Sequence, residues 1–220
     1  MTIRLAEPEA RALEAFCRRQ LKWDERLPAR VVTAAKALGV FTAPPLGVLV
    51  FVAVPTADPV EAGEAVDALV PLDMFANALR RDAVKGIDIG TLPRAMVPMG
   101  ASPSLQHLPP SEGWQLPIFA VSGDLVPKVE DATAEFDARA AGLPARSQES
   151  VAEEIWDRPG FGGLPLRALH AARQLGMIAN DRSRVSAATC GPWKRLSTQR
   201  GQVFVHSTGP AARLALRVVR

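Results

Sequence analysis

Between Pro8 and Leu21 apolar positions recur at helical spacing, with Leu13, Phe16 and Cys17 on one stripe, so the chain opens with an amphipathic packing helix. Pro8 suits a first turn, Glu7 and Glu9 sit at the positive end of the helix dipole, and Arg18 and Arg19 close it. From Arg30 to Pro55 the pattern turns to strands. One lies within RVVTAAKALGVF, the turn signal Ala43-Pro44-Pro45-Leu46-Gly47 follows, and then comes the apolar run VLVFVAV. Unbroken apolarity in that run predicts a central strand covered on both faces. A helix over Ala29 to Leu38 is the alternative there, because Ala-rich sequence favours it.

After Asp58 a short amphipathic stretch reaches Val66 to Val70, and Pro71 opens a helix through Leu72, Phe75, Ala76 and Leu79 to Arg81. Gly86 to Phe119 is interrupted by Pro93, Pro98, Pro103, Pro109, Pro110 and Pro117, a density that forbids a long helix and a central strand. It reads as an extended connector over the surface, with Trp114 as an anchor. Asp124 is the expected N-cap of a helix carrying Leu125, Val129, Ala132 and Phe136 inward and ending near Gly142. Ser150-Val-Ala-Glu153 has the form of a capping box for a short second helix with Ile155 and Trp156. A Gly-rich turn (Arg158 to Gly163) follows, and Pro165 opens a third helix with Leu166, Leu169, Ala172 and Leu175 inside. Val185 to Thr189, Trp193 to Ser197 and Gln202 to His206 read as strands. No internal repeat is visible in the residues. The fold class is α+β: an N-terminal helix with a sheet over 1–85, a Pro-rich connector over 86–120, and a basic three-helix and hairpin region over 121–220.

At 220 residues and 48% hydrophobic content the chain can bury a core without staples, which excludes wholesale disorder, a collagen-like repeat and a multi-span membrane protein. Its longest apolar run, Leu46 to Val54, is far short of the roughly 20 residues a spanning helix needs. The start MTIRLAEPEA lacks the basic and apolar regions of a signal peptide, so a cytoplasmic protein with no membrane partner is the expectation. Cys17 and Cys190 are the only thiols and form no C-x-x-C pair, while His107, His170 and His206 are far apart. No zinc module or disulfide framework follows from that spacing, and no metal or cofactor is implied. Arg outnumbers Lys 21 to 5, which with abundant Ala resembles the usage of a high-GC bacterial genome.

Charge changes the picture most. Residues 1–158 carry 16 basic and 22 acidic side chains, a net of −6, whereas 159–220 carry 10 basic and one acidic, a net of +9. A segment so basic attracts either a polyanion or acidic protein surface, its own or a partner's.

The order helix, short helix, third helix, hairpin resembles that of the winged-helix superfamily over residues 121–206, with SVAEEIW and GLPLRALHAARQLGMI similar to its second and third helices. That resemblance implies nucleic-acid binding. Arg167, His170 and Gln174 then share one face of the third helix, flanked by Arg173, as side chains suited to base edges. Arg182, Arg184, Lys194, Arg195 and Arg200 would meet phosphates from the hairpin. The alternative is an interaction module that docks an acidic partner or self-associates, with Trp193 and Phe204 beside Lys194 and Arg195 at its centre; the competing view of those two aromatics is inward packing. The turn Gly160-Phe-Gly-Gly163 lacks a complete phosphate-loop pattern and is read as a connection. No catalytic constellation is visible: the carboxylate pairs Glu130-Asp131 and Glu153-Glu154 fall on solvated helix faces.

Overall fold

The computed structural model describes residues 2–61, 65–96 and 104–207. The chain divides into two compact units, the boundary falling between Leu108 and Pro109, with residues 200–202 grouped with the first.

The first unit runs β1 (Thr2–Ile3), α1 (Glu7–Leu21), β2 (Pro28–Ala34), β3 (Ala37–Thr42), β4 (Leu49–Pro55), β5 (Asp67–Pro71), α2 (Leu72–Asp82) and β6 (Ile87–Asp88). Its sheet has the order β5-β2-β3-β4, antiparallel at every step, and β1 pairs separately with β6. Leu13, Phe16 and Cys17 of α1 and Leu72, Phe75, Ala76 and Leu79 of α2 are buried, as the helical spacing of both segments requires. Cys17 is wholly enclosed, and burial pushes its thiol well above the usual range. Two buried polar side chains meet in the core: the Thr42 hydroxyl donates to Gln20 Oε1 at 2.6 Å.

The second unit runs β7 (Gln115–Val121), α3 (Ser122–Ala140), α4 (Ala145–Trp156), α5 (Leu166–Gln174), β8 (Arg184–Cys190), β9 (Trp193–Thr198) and β10 (Gly201–His206). Its strands lie in the order β7-β8-β9-β10. Leu125, Val126 and Val129 of α3, Ile155 of α4 and Leu166, Leu169 and Ala172 of α5 are buried, as are Val185, Ala187, Leu196, Val203 and Val205 on the strands.

The two units contain the same motif. In each, an edge strand runs straight into a helix and pairs antiparallel with the first strand of a meander. Adding 156 to the residue numbers of β2 and β3 gives the bounds of β8 and β9, including the two-residue turn between them. Pro71 ends its strand opposite Pro28, and Val121 ends its strand opposite Arg184. The next backbone N–H donates to the residue before the meander in both cases: Leu72 to Leu27 at 2.9 Å, Ser122 to Ser183 at 2.8 Å. Buried positions follow, with Leu72, Phe75, Ala76 and Leu79 matched by Ser122, Leu125, Val126 and Val129. So a repeat exists although the residues show none: it is carried by register and burial, which Leu and Ser, or Pro and Arg, satisfy by different chemistry.

Several sequence expectations change. Residues 29–38 form a hairpin and not a helix. The apolar run of β4 is not buried on both faces throughout, for Ala53 is exposed and Phe51 is half-covered, its ring 4.4 Å from that of Phe41. The helix expected to start at Asp124 starts at Ser122, and Val121 takes the N-cap position. Ser150 is no cap: α4 begins at Ala145, and the hydroxyl bonds back to the Arg146 carbonyl. The Pro-rich stretch contains β6, a 3-10 turn (Ile89–Thr91) and β7. Pro117 is tolerated because β7 is an edge strand, with a register shift between Gln115 and Ile118. Pro98 and Pro103 lie outside the described residues.

Candidate interaction site

The third helix, α5, is where sequence placed base-reading side chains, and the structure gives most of them partners within the second unit. Arg167 Nη1 forms an ion pair with Asp157 at 2.9 Å, and Arg173 Nη2 donates to Glu130 at 3.2 Å. The His170 ring lies 4.2 Å from that of Trp156, and burial lowers its pKa from the ordinary imidazole value. Gln174 is exposed. The polar face of α5 therefore packs against α3 and α4 side chains at three of its four candidate positions.

The strand and turn cations have separate surroundings. Arg182 is exposed ahead of β8. Arg184, also exposed, holds its guanidinium 3.7 Å from the centre of the Phe119 ring. Arg195 lies over Trp114 at 4.3 Å, and burial lowers its pKa. Trp114 is fixed in turn by its indole N–H, which donates to the Pro110 carbonyl at 2.9 Å, and by Phe204, 5.8 Å away. Lys194 Nζ donates to the Gly163 carbonyl at 2.6 Å. Arg200 is exposed in the turn between β9 and β10. Trp193 and Phe204 are buried, so they line the interior and do not form an exposed interface centre. Arg213, Arg217 and Arg220, which contribute to the basic count, lie outside the described residues.

One concave region joins these pieces. A cavity of about 370 Å³ is lined by Asp157 at the end of α4, Gly163 of the Gly-rich turn, Arg167 of α5, Lys194 of β9 and His206 of β10, with Pro159, Pro165 and Val205 as apolar wall. The turn takes its shape from its glycines. Gly162 has φ +59°, and a Cβ there would lie 2.3 Å from Ala187 Cβ, so the turn sits directly on β8. Inside the turn Gly160 N–H donates to the Leu164 carbonyl and Leu166 N–H to the Arg158 carbonyl. Those two amides are engaged at home and are not available to a phosphate.

The largest ionic cluster lies between α3 and α4. Arg158 reaches Glu135 at 2.6 Å and Glu154 at 2.9 Å, and Arg139 reaches Glu135 at 2.8 Å and Glu154 at 2.5 Å. Hydrogen bonds from Arg158 and then Arg139 hold Glu135 down to about 2, and the same pair in reverse order holds Glu154 down to about 2. Sequence reasoning treated the neighbouring carboxylates as merely solvated. The i,i+4 spacings Glu135/Arg139 and Glu154/Arg158 were the available signal. For Asp157 and His206 there was none, since the cavity that they line with Arg167 and Lys194 gathers residues from four separate elements.

The elements and their order define a class of fold, two units built on strand-to-helix junctions and antiparallel meanders. In fold the chain is similar to bacterial DNA polymerase III beta subunits, the sliding clamps. The Helicobacter pylori beta clamp in complex with 3,4-difluorobenzamide shares 10% identity at a TM-score of 0.55, over 97% of this chain and 68% of that one. Caulobacter crescentus pol III beta shares 11% at 0.55, over 100% and 68%. A putative beta subunit from Eubacterium rectale shares 8% at 0.55, over 98% and 67%. The chain thus spans about two thirds of the length of the clamps it matches. Residues 1–98 match the model of a domain of unknown function (DUF8010), and residues 109–210 match that of another (DUF8185). No curated protein sequence matches.

These likenesses overturn the winged-helix resemblance. The three helices and the hairpin are present in the expected order, but β7 precedes α3 and pairs with β8, so the hairpin belongs to a larger antiparallel sheet and not to a wing. Among the described residues no helix is long and apolar enough to cross a membrane.

Proposed function

We propose that the chain is a clamp-like scaffold that acts without catalysis, associates with DNA through phosphate contacts rather than by reading bases, and works by holding protein partners. The observation that carries this reading is the likeness in fold to sliding clamps across 97–100% of the chain. The chemistry of α5 agrees with it. A recognition helix needs a free polar face, whereas Arg167 and Arg173 are ion-paired and His170 packs on Trp156. Phosphate contact asks only for exposed cations, and Arg182 and Arg184 supply two near the start of β8. The carboxylates of the α3–α4 cluster are closed by arginines, which suits a structural tie and not acid–base work.

Formaldehyde cross-linking in cells, followed by sequencing of the DNA recovered with the tagged chain, tests the reading. Recovery spread broadly along the chromosome is the expected outcome. Sharp peaks over one short motif, or no enrichment above an untagged control, would overturn it.

A further inference from the structure

We propose that the cavity beside α5 is a binding site for a compact oxyanion, a single phosphate or carboxylate group carried by a small ligand. The cavity lies wholly in the second unit, and its chemistry does not depend on whether the chain associates with DNA.

Its lining has three side chains that carry or can take up positive charge, Arg167, Lys194 and His206, against one carboxylate, Asp157. Arg167 and Lys194 against Asp157 leave one positive charge, so a single oxyanion group neutralises the site. Asp157 does not use up Arg167. The ion pair engages Nη1, whereas Nε of the same guanidinium is buried and has no hydrogen-bond partner. The side chain as a whole is 31% exposed, and each terminal nitrogen of a guanidinium carries two hydrogens, so an arriving oxygen can form a charge-assisted bond with Arg167 beside Asp157. Asp157 then acts as the clamp that fixes the guanidinium plane.

Lys194 is positioned in the same way. Its ammonium donates one hydrogen to the Gly163 carbonyl, and an ammonium has three. Gly163 has φ +75°, a backbone conformation that favours glycine and that presents its carbonyl to Lys194 Nζ. His206 stands with its ring edge-on to buried Trp193, centroids 4.7 Å apart, which sets its direction at the end of β10.

Size decides what the oxyanion is attached to. At about 370 Å³ the cavity is near the small end of ligand sites, which run from roughly 300 to 1,000 Å³. Pro159, Pro165 and Val205 offer a short apolar wall for a few carbons. A lone Asp157 on the rim disfavours a run of successive phosphates, whereas one anionic group can sit away from it. The ligand class is a small phosphoester or carboxylic acid.

The test is an NMR titration of the full chain, following the Arg167 Nε–H and His206 ring signals while inorganic phosphate, and separately succinate, is added at constant ionic strength. Saturable shifts of both signals along one isotherm are expected, with exposed Arg94 unmoved as a reference cation outside the cavity. Saturation by phosphate alone assigns a phosphoester, and saturation by succinate alone assigns a carboxylate. Arg167→Gln should weaken binding about tenfold or more. Lys194→Gln gives the same reading should the first variant fail to fold. Linear, unsaturated shifts with both anions, shifts equal to those of Arg94, or unchanged affinity in a folded variant would overturn the proposal.

Discussion

The hydroxyl of Ser122 donates to the carbonyl of Ala179 at 2.9 Å and accepts from the amide of the same residue at 2.8 Å. It is fully buried at the point where β7 becomes α3, and so it ties that junction to the segment leading into β8. The equivalent position in the first unit is Leu72, equally buried, whose side chain contributes to its junction by packing alone while the backbone keeps the bond to Leu27.

Ser122→Ala therefore leaves a buried amide and a buried carbonyl without partners. A loss of about 1–3 kcal/mol in unfolding free energy is expected, read from urea denaturation midpoints. Leu72→Ala should cost more, about 2–5 kcal/mol, because it opens a cavity. A Ser122→Ala variant as stable as the parent would show that the junction does not depend on the hydroxyl.

The Gln20–Thr42 pair is a second buried polar contact, and Gln20 Nε2 has no acceptor. Thr42→Val strands the amide oxygen, so it should destabilise by about 1–3 kcal/mol. Gln20→Leu combined with Thr42→Val removes both partners and should cost less than the sum of the singles. A double-mutant cycle on thermal unfolding checks this; strict additivity would mean that the two side chains are uncoupled.

Acid sensitivity follows from the Arg–Glu cluster. Glu135 and Glu154 are both held down to about 2 in the folded chain. The unfolded chain, with carboxylates near 4.5, then takes up protons first as pH falls. The cluster's contribution is complete above about 4.5 and disappears as pH drops toward about 2. Melting temperature measured from pH 6 to pH 2 should fall less steeply in Glu135→Gln/Glu154→Gln than in the parent, and high salt should narrow the difference. Parallel profiles would remove the cluster from the account.

Much of the fold was legible because burial leaves a periodic trace. α1, α2 and α5, β4 and the strands of the second meander stand within a few residues of where spacing and turn signals put them, whereas β2 and β3 fall where one strand was expected. Pairing left no such trace. β7 contains Pro117 and lies in a Pro-rich stretch, so local rules argued against the strand that decides the topology of the second unit. The repeat was hidden for a related reason: the Ser122 and Leu72 junctions obey one geometry with unlike residues. At the site, Arg167 and Lys194 were singled out as cations facing outward. What turns them toward one cavity, an ion pair with Asp157 and a bond to the Gly163 carbonyl, depends on contacts distant in sequence.

The central functional claim concerns how the chain meets DNA. Affinity for two duplexes of unrelated sequence, measured by fluorescence anisotropy from 50 to 200 mM salt, tests it most directly. Equal affinity for both duplexes, falling steeply as salt rises, is the expected result. A marked preference for one duplex that survives at high salt, or no binding to either at the lowest salt, would contradict it.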